Sequence, residues 1–591
     1  MNRSVSSPRH RWVGCRRLVL AVMVVALGLV AGCVGVPTSG PVVTIDGQAP
    51  ECQNCIDVDV APPAAGNDPK QIVQGFLRAT SNFQPNYAVA RQFLTTGAGE
   101  KWAPESGVSI YSGSIQAAGD TVILDGRLVG SLGPDRTYTG RDKAWRVNFG
   151  MVKEDGEWRI STPPPGLMVA EFAFDSFYQT YNLFFVGNGS VLVPNPIHLA
   201  DLRSQASTAS VLISALLAGP SRWLAPAVTS AIPEKTALSV DAVTIDGGVA
   251  EVALSDDVLN LNEGQRTLMA AQVLYTLRPL GIRGVAFTVD QQPYAIPGAD
   301  PGTFVVSLDA RFQAFDPIPS GVPESIFTAR AGKVGVTTSL TDTPDSTPIT
   351  GRLGAGKWSV DEIAVSPTAS DIAAVTDGGK VLRAGEVANG GVRTVIDQVT
   401  GLLRPNYTRF SELWAIGDSG KGQRLWVERD GKVTEVRTTL LKRGRVRAFS
   451  ISPDGVRMAL IREVDGRSEL GLARIVRGDG IRLDGWLPLD VTSSTTPNLS
   501  VLRDLSWSDS TSLAVLGGSS ADVPLAVYRI SQDASATAAV GEPITWDATG
   551  LAVALKSQTV IVLDRDGQTW RDGRTQWVSF LDKVSAVACP G

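Results

Sequence analysis

Cys33 carries the most specific chemical prediction in this sequence. It directly follows Val30-Ala31-Gly32, and an apolar run from Leu18 to Val30 precedes it. The segment before that run is basic, with Arg3, Arg9, Arg11, Arg16 and Arg17. A basic region, a short apolar core and a small-residue cleavage site are typical of a secretory signal. With cysteine next, the pattern is that of a bacterial lipobox. It predicts cleavage between Gly32 and Cys33 and transfer of a diacylglyceryl group to the Cys33 thiol.

The length of the apolar run favours a lipid anchor over a membrane-spanning helix. A helix of this length measures about 20 Å, whereas the hydrocarbon layer is about 30 Å thick. Two acyl chains hold a protein firmly, because each buried methylene contributes about 0.8 kcal/mol. We therefore predict a signal peptide over residues 1–32 and a protein anchored at the extracytoplasmic face of the cell membrane. The alternative is an ordinary signal peptide with an incidental cysteine.

The remaining cysteines and histidines offer little further chemistry. Cys52 and Cys55 have the spacing of a redox motif, but they lie in a linker-like segment, and a disulfide is favoured outside the cytoplasm. Further ligands for zinc are missing around them, and Cys589 has no obvious partner. Once the leader is removed, His198 is the single histidine, in a proline-rich stretch that predicts a packed or exposed loop. A two-histidine metal site is therefore excluded, and a catalytic role for His198 is disfavoured.

Composition predicts a multidomain, β-rich, acidic protein. The 559 residues from Cys33 onward suggest three or four domains. The leader holds five arginines and no acidic residue, so the net charge of −5 becomes −10 after cleavage. This charge disfavours nucleic acid as a partner. The 60 glycines and 35 prolines indicate many turns.

A tether and a first α+β domain follow the lipid site. Residues 33–67 are rich in Pro, Gly, Ser and Asp, which is typical of a spacer. At Asp68-Pro69 a capped helix is predicted, with Ile72, Val73, Phe76 and Leu77 on its apolar face. A second helical piece is predicted around 87–94, followed by strands up to Glu157-Trp158-Arg159-Ile160. Residues 68–165 resemble the cone-shaped nuclear-transport-factor-two-like fold, which implies a pocket but no activity.

The middle region contains connector strands (166–204) and a second α+β domain (205–315). A hairpin is predicted around Asp246-Gly247-Gly248, and Asn262 and Gln265 have the spacing of a capping box before an amphipathic helix. With Leu217-Ala218-Gly219-Pro220 and the helix ending in Leu274-Tyr275-Thr276-Leu277, this region resembles a GerMN domain. Such domains are presumed to bind envelope components or partner proteins.

From residue 316 to 591 the pattern predicts a β-propeller of about six blades. A short apolar strand followed by Ser-Pro, Trp-Ser or a related pair recurs about every 40 to 55 residues. Five units are visible, and a sixth combines 325–338 with strands near 584–588, which would close the ring. A pair of β-sandwiches is the alternative. The repeated copies include Ile363-Ala364-Val365-Ser366-Pro367, Phe449-Ser450-Ile451-Ser452-Pro453, Leu505-Ser506-Trp507-Ser508 and Ile544-Thr545-Trp546-Asp547.

The order of lipobox, tether, cone-like domain, GerMN domain and propeller resembles the actinobacterial LpqB lipoproteins over nearly the whole chain. The resemblance implies a non-enzymatic accessory of the MtrA/MtrB two-component system, without cofactor or metal. It would contact the extracytoplasmic region of the sensor kinase MtrB and influence cell-envelope homeostasis and division. A scaffold that binds peptidoglycan or another glycan is the main alternative, and a propeller hydrolase is a further one.

Overall fold

The computed structural model describes residues 61–202, 204–338, 344–491, 498–520, 522–573 and 575–591. The signal peptide, Gly32, Cys33, Cys52 and Cys55 lie outside the described residues. Those described belong to one compact unit, Val60–Gly591. None of the described helices combines the length and the apolar character needed to cross a membrane.

The first domain is a five-stranded sheet with helix α1 packed across it. The Asp68 side chain accepts from the Gln71 amide, and the Gln71 side chain accepts from the Asp68 amide, so the predicted cap is present. The sheet order is β4-β3-β2-β1-β5, and β1 and β5 are its parallel pair. The helices are α1 Pro69–Ser81, α2 Ala88–Gln92, α3 Thr96–Lys101 and α4 Glu171–Phe177, with 3-10 turns at Pro85–Tyr87 and Pro104–Ser106. The strands are β1 Val108–Ala118, β2 Thr121–Leu132, β3 Tyr138–Glu154, β4 Glu157–Thr162 and β5 Leu167–Ala170.

The middle domain combines a long hairpin, β6–β7, with a second sheet and two helices. The hairpin lies within 166–204, and its buried side chains share one hydrophobic core with α5 and α6. In the sheet, α6 connects the parallel strands β9 and β10. The elements are β6 Tyr178–Val186, β7 Leu192–Ala200, α5 Gln205–Leu217, β8 Thr244–Asp246, β9 Val249–Leu254, α6 Glu263–Leu277, β10 Gly284–Val289, β11 Gln292–Pro293 and β12 Val306–Ser307, with 3-10 turns at Asn188–Ser190, Ala225–Ala227, Asp256–Asn260, Arg278–Leu280 and Phe312–Phe315.

Two local features of the middle domain follow directly from its sequence. The capping box predicted between Asn262 and Gln265 is present at the start of α6. Gly247 and Gly248 both have positive φ angles in the β8–β9 turn, the conformation that a two-residue hairpin turn requires. The strand before this turn, β8, has only three residues. From 236 to 243 the chain touches β9 at one bridge, Leu238 to Leu254, instead of forming a continuous ladder.

Six four-stranded sheets are described in the C-terminal half, arranged as the blades of a propeller. Blade 1 contains β13 Ile326–Arg330, β14 Lys333–Thr337, β15 Thr347–Pro348 and β36 Val584–Ala588; blade 2 contains β16 Val360–Val365, β17 Asp371–Thr376, β18 Val381–Glu386 and β19 Val392–Ile396. Blade 3 contains β20 Asn406–Tyr407, β21 Leu413–Asp418, β22 Gln423–Arg429 and β23 Lys432–Glu435; blade 4 contains β24 Arg445–Ile451, β25 Arg457–Val464, β26 Arg467–Gly478 and β27 Gly480–Pro488. Blade 5 contains β28 Val501–Trp507, β29 Ser512–Gly518, β30 Leu525–Ser531 and β31 Thr537–Ile544; blade 6 contains β32 Ala548–Ala554, β33 Thr559–Asp564, β34 Thr569–Asp572 and β35 Trp577–Ser579. Short 3-10 turns lie at Arg352–Ala355 and Leu440–Lys442.

The ring closes with strands from both ends of the propeller sequence, as predicted. β36 pairs antiparallel with β13, so that residues 584–588 form the innermost strand of blade 1. Such a closure leaves no unpaired inner edge.

The recurring Ser-Pro and Trp-Ser pairs form turns between the first two strands of a blade. In blade 4 the Arg457 amide donates to Ser452 Oγ over 3.0 Å, and the Val456 amide donates to Asp454 Oδ1 over 2.9 Å. Asp509 of blade 5 accepts in the same way from the Ser512 amide over 2.8 Å. Side chains that accept hydrogen bonds from nearby backbone amides are typical of turns, so the repeated residues serve to form the turns of the blades.

Candidate functional site

The central channel of the propeller is the first place where a ligand could bind. The innermost strands β16, β20, β24, β28, β32 and β36 line it, one from each blade. Its open space is about 60 Å³. One water needs about 10–15 Å³ on the same measure, so this space holds only a few water molecules.

Arg404 closes this channel. Its Nη1 donates to Asp504 Oδ2 over 2.9 Å and to the Leu551 carbonyl over 2.6 Å. Its Nη2 donates to Asp504 Oδ1 over 2.9 Å and to the Leu505 carbonyl over 2.8 Å. Burial acts to lower the pKa of Arg404, but the charges of Asp504 and Glu362 outweigh it and raise that pKa. Arg404, which precedes blade 3, thus ties blades 5 and 6 together with charge-assisted bonds.

Two further titratable groups, Glu362 and Cys589, lie close enough to Arg404 to interact with its charge. Burial raises the pKa of Glu362 to about 7, and the nearby charge of Arg404 only partly opposes this. Burial also raises the pKa of the Cys589 thiol to about 12, so that this thiol is protonated at neutral pH. A protonated thiol is a poor nucleophile, and Cys589 is therefore unsuited to covalent catalysis.

Glu362→Gln is expected to stabilise the protein at high pH. A carboxyl whose folded pKa exceeds its unfolded pKa loses stability as pH rises from about 4.5 to 7. At pH 8 the variant should therefore unfold at a higher urea concentration than the parent, with a free energy of unfolding larger by about 2 kcal/mol. At pH 4.5 this free energy should hardly differ from that of the parent. Glu386→Gln, an exposed glutamate of the same blade, is the control. Equal gains in the free energy of unfolding at both pH values would contradict the raised pKa of Glu362.

The junction of the three domains is the second place where polar groups converge. His198 lies on β7, not in the predicted loop, and its side chain is buried. Strand β7 tolerates Pro194 and Pro196 because both strands of a two-stranded sheet are edge strands. The His198 ring packs against Tyr138 and Phe174 of the first domain, with centroid distances of 5.7 Å and 5.5 Å. Its Nε2 lies 2.8 Å from Asp533 Oδ2 in blade 5.

The His198–Asp533 pair therefore links all three domains. Burial opposes ionisation of Asp533, but the hydrogen bond and charge of His198, together with bonds from Ser535, outweigh it and lower the pKa of Asp533 to about 2. Neighbouring bonds reinforce the link: the Gln532 side chain donates to Asn182 over 3.2 Å, and the Arg457 side chain donates to the Pro194 carbonyl over 3.3 Å.

Asp533→Asn is expected to weaken the protein by about 2 kcal/mol at pH 7. A depressed folded pKa contributes stability above the unfolded value of about 4, and this stability is lost as pH falls toward 2. The difference in urea midpoint between parent and variant should therefore shrink between pH 4 and pH 2. Asp522→Asn, an exposed aspartate of the same blade, should show no such trend.

Two cavities flank the His198–Asp533 pair, each of about 260 Å³. The first, here called the polar cavity, lies between the first domain, the β6–β7 hairpin and blade 5. The second, called the apolar cavity, contacts all three domains. The polar cavity is lined by side chains that include Tyr138, Glu171, Asp175, Tyr178, Thr180 and Thr537. Within the described ranges, no group of three or more His, Cys, Asp or Glu side chains is placed to hold a metal ion.

The sequence did not predict the hydrogen bonds of Arg404 in the channel or the pairing of His198 with Asp533. Arg404 follows Leu402 and Leu403 in an irregular segment, and its partners lie about 100 and 147 positions away. Asp533 lies 335 positions from His198. One signal was available: His198 is the single histidine after the leader, and a buried one requires a polar partner.

Comparison with known proteins decides the family. A lipoprotein LpqB from Cutibacterium acnes is 30% identical over 96% of this chain and 98% of its own length. The chain belongs to the LpqB lipoprotein family. A second LpqB lipoprotein, from Streptomyces coelicolor, is 27% identical over 85% of this chain and 87% of its own length.

Three family models match successive parts of this LpqB chain. The LpqB N-terminal domain matches residues 62–175, a domain described as sporulation and spore germination matches 182–295, and the LpqB β-propeller domain matches 337–590. These matches confirm the predicted fold class and the predicted family. Among solved structures, TolB from Acinetobacter baumannii is 13% identical over 57% of this chain and 87% of its own, with a TM-score of 0.34, which carries no functional argument.

Proposed function

We propose that this protein is a non-enzymatic accessory of the MtrA/MtrB two-component system, anchored by lipid on Cys33 at the extracytoplasmic face of the membrane. Its folded domains would contact the extracytoplasmic region of the sensor kinase MtrB and so influence cell-envelope homeostasis and division. Cell-surface proximity would supply the high local concentration that a weak contact needs.

The closed channel is the observation that carries the non-enzymatic part of this proposal. A propeller hydrolase needs a concave site with room for substrate and with free acid or base groups. Here Arg404 occupies the axis with both of its terminal nitrogens fully hydrogen-bonded, and the remaining space is about 60 Å³. The outer surface of the blades is therefore the part of the propeller best suited to binding.

The joined domains support a role in presenting a surface to a partner. The first domain, the hairpin and blade 5 meet at His198, Asp533 and Gln532, and the segment before the propeller is held by Arg409, whose Nη1 donates to the Asp316 carbonyl over 2.7 Å. Domains held by buried polar bonds keep a fixed arrangement, so that binding loses little conformational entropy.

Copurification with the MtrB extracytoplasmic region tests the partner. The mature chain should retain this region at a Kd of tens of micromolar or tighter, and deletion of residues 316–591 should show whether the propeller contributes. An absence of binding at tens of micromolar by both forms would count against direct contact. A screen of glycoside and lactone substrates should give no turnover, and turnover would overturn the non-enzymatic assignment.

Cell-wall binding is a second candidate, and the polar cavity favours it. Tyrosine rings beside carboxylates and hydroxyls are chemically suited to a sugar ring, and Tyr138, Tyr178, Asp175 and Thr180 all line this cavity. Sedimentation with purified peptidoglycan separates the two candidates. Retention in the pellet that Tyr178→Ala removes would support the cell-wall role, whereas full recovery in the supernatant would exclude it.

A further inference from the structure

The apolar cavity is built by all three domains at once. Strand β3 contributes Thr139, the hairpin contributes two prolines, the segment before Ala225 contributes Trp223 and Leu224, and blade 4 contributes two leucines. Its apolar side chains are Pro194, Pro196, Trp223, Leu224, Leu472 and Leu487. Ligand sites typically combine such a lining with a few polar groups, and they often lie between domains.

Arg222 gives this cavity a positive charge at its edge. Its side chain is exposed, and no ion pair joins it to any carboxylate of the described residues. The two acidic side chains of the lining are already engaged. Asp135 accepts from the amide and hydroxyl of Thr137 over 3.2 Å and 2.7 Å, and Asp533 is held by His198. Arg457, the other cation of the lining, is engaged by Asp454 and by the Pro194 and Ser510 carbonyls. Arg222 is therefore the charged group available to a ligand, and its guanidinium favours a carboxylate or phosphate.

We propose that the apolar cavity binds a small aliphatic ligand with one anionic end, the chain lying among the prolines and leucines and the anion at Arg222. A volume of about 260 Å³ is many times the 10–15 Å³ or so that one water needs on the same measure, so the cavity has room for a short aliphatic chain. A bound ligand would touch the first domain, the middle domain and blade 4 together, and would stabilise their arrangement by mass action.

This ligand site is independent of any contact with a kinase, so its test measures binding alone. Octanoate is the probe, with octan-1-ol and octyltrimethylammonium as the neutral and cationic comparisons. Calorimetry is performed on the full mature chain carrying Cys33→Ala, which retains every described residue and needs no detergent. We expect one octanoate per chain, bound at least fivefold more tightly than octan-1-ol, and a higher Tm in its presence.

Three variants complete the test. Thr139→Trp fills the cavity and should abolish binding of octanoate and octan-1-ol, with circular dichroism checking that the chain is folded. Arg222→Gln should weaken octanoate at least fivefold and leave octan-1-ol unchanged, whereas Lys235→Gln, an exposed lysine of the same domain, should change neither. Absence of saturable octanoate binding, equal affinity for octanoate and octan-1-ol, tighter octyltrimethylammonium binding, or octanoate affinity unaffected by Arg222→Gln would each overturn the proposal.

Discussion

Cys33→Ala is expected to release the protein from the membrane and to abolish its activity in the cell, while the folded domains remain intact. The reason is that the proposed diacylglyceryl group on Cys33 would supply the membrane affinity through its two acyl chains. Metabolic labelling with a palmitate analogue should mark the parent but not the variant, and fractionation should move the variant out of the membrane pellet. The mass of the isolated variant distinguishes a retained signal peptide from a retained lipid.

Cys52→Ala is the matched control, because it replaces another cysteine of the same tether and leaves the lipobox unchanged. It should keep both the label and the membrane location. An unlipidated Cys33→Ala protein that supports normal growth and division would contradict the account, because membrane proximity would then not be part of the mechanism.

Arg404→Ala is expected to produce the largest loss of folding stability, about 3 to 5 kcal/mol. The substitution removes four hydrogen bonds from the axis of the propeller and leaves the Asp504 carboxylate without its cation. Asp504 keeps bonds from the Leu505 and Leu551 amides, but a mostly buried charge without a partner is costly. Urea unfolding followed by tryptophan fluorescence measures the effect.

Two further variants separate the contribution of the Arg404–Asp504 pair from nonspecific destabilisation. Arg503→Ala removes a neighbouring but exposed arginine and should cost less than about 0.5 kcal/mol. The double variant Arg404→Ala with Asp504→Ala should recover part of the loss, because no buried charge is left alone. A double variant less stable than Arg404→Ala would contradict the role assigned to the pair.

Local features of this fold could be predicted because their causes are local. The cap formed by Asp68 and Gln71, the cap at Asn262, the glycine turn at 247–248 and the Ser-Pro turns of the blades each depend on residues within five positions of one another. Ring closure could also be predicted, because an unpaired inner strand at 584–588 would complete the blade begun at Ile326.

Contacts between distant parts of the chain could not be predicted in the same way. The hydrophobic alternation of strand β1 is weak, because its second half is mostly exposed and consists largely of small and polar residues. The channel closure by Arg404 and the His198–Asp533 link depend on how blades and domains meet in space. Hydrophobic periodicity specifies which face of an element is buried, but it does not specify the partner across an interface.

Photo-crosslinking in living cells tests the central claim most directly. The crosslinker is placed at exposed apolar positions, namely Val240 (56%) and Leu259 (56%) of the middle domain and Val433 (37%) and Val523 (46%) of the propeller. We expect an adduct with the extracytoplasmic region of MtrB from at least one of these positions, and its loss when Cys33→Ala is introduced. Adducts with cell-wall glycan alone, or none with MtrB from any of the four positions, would contradict the account.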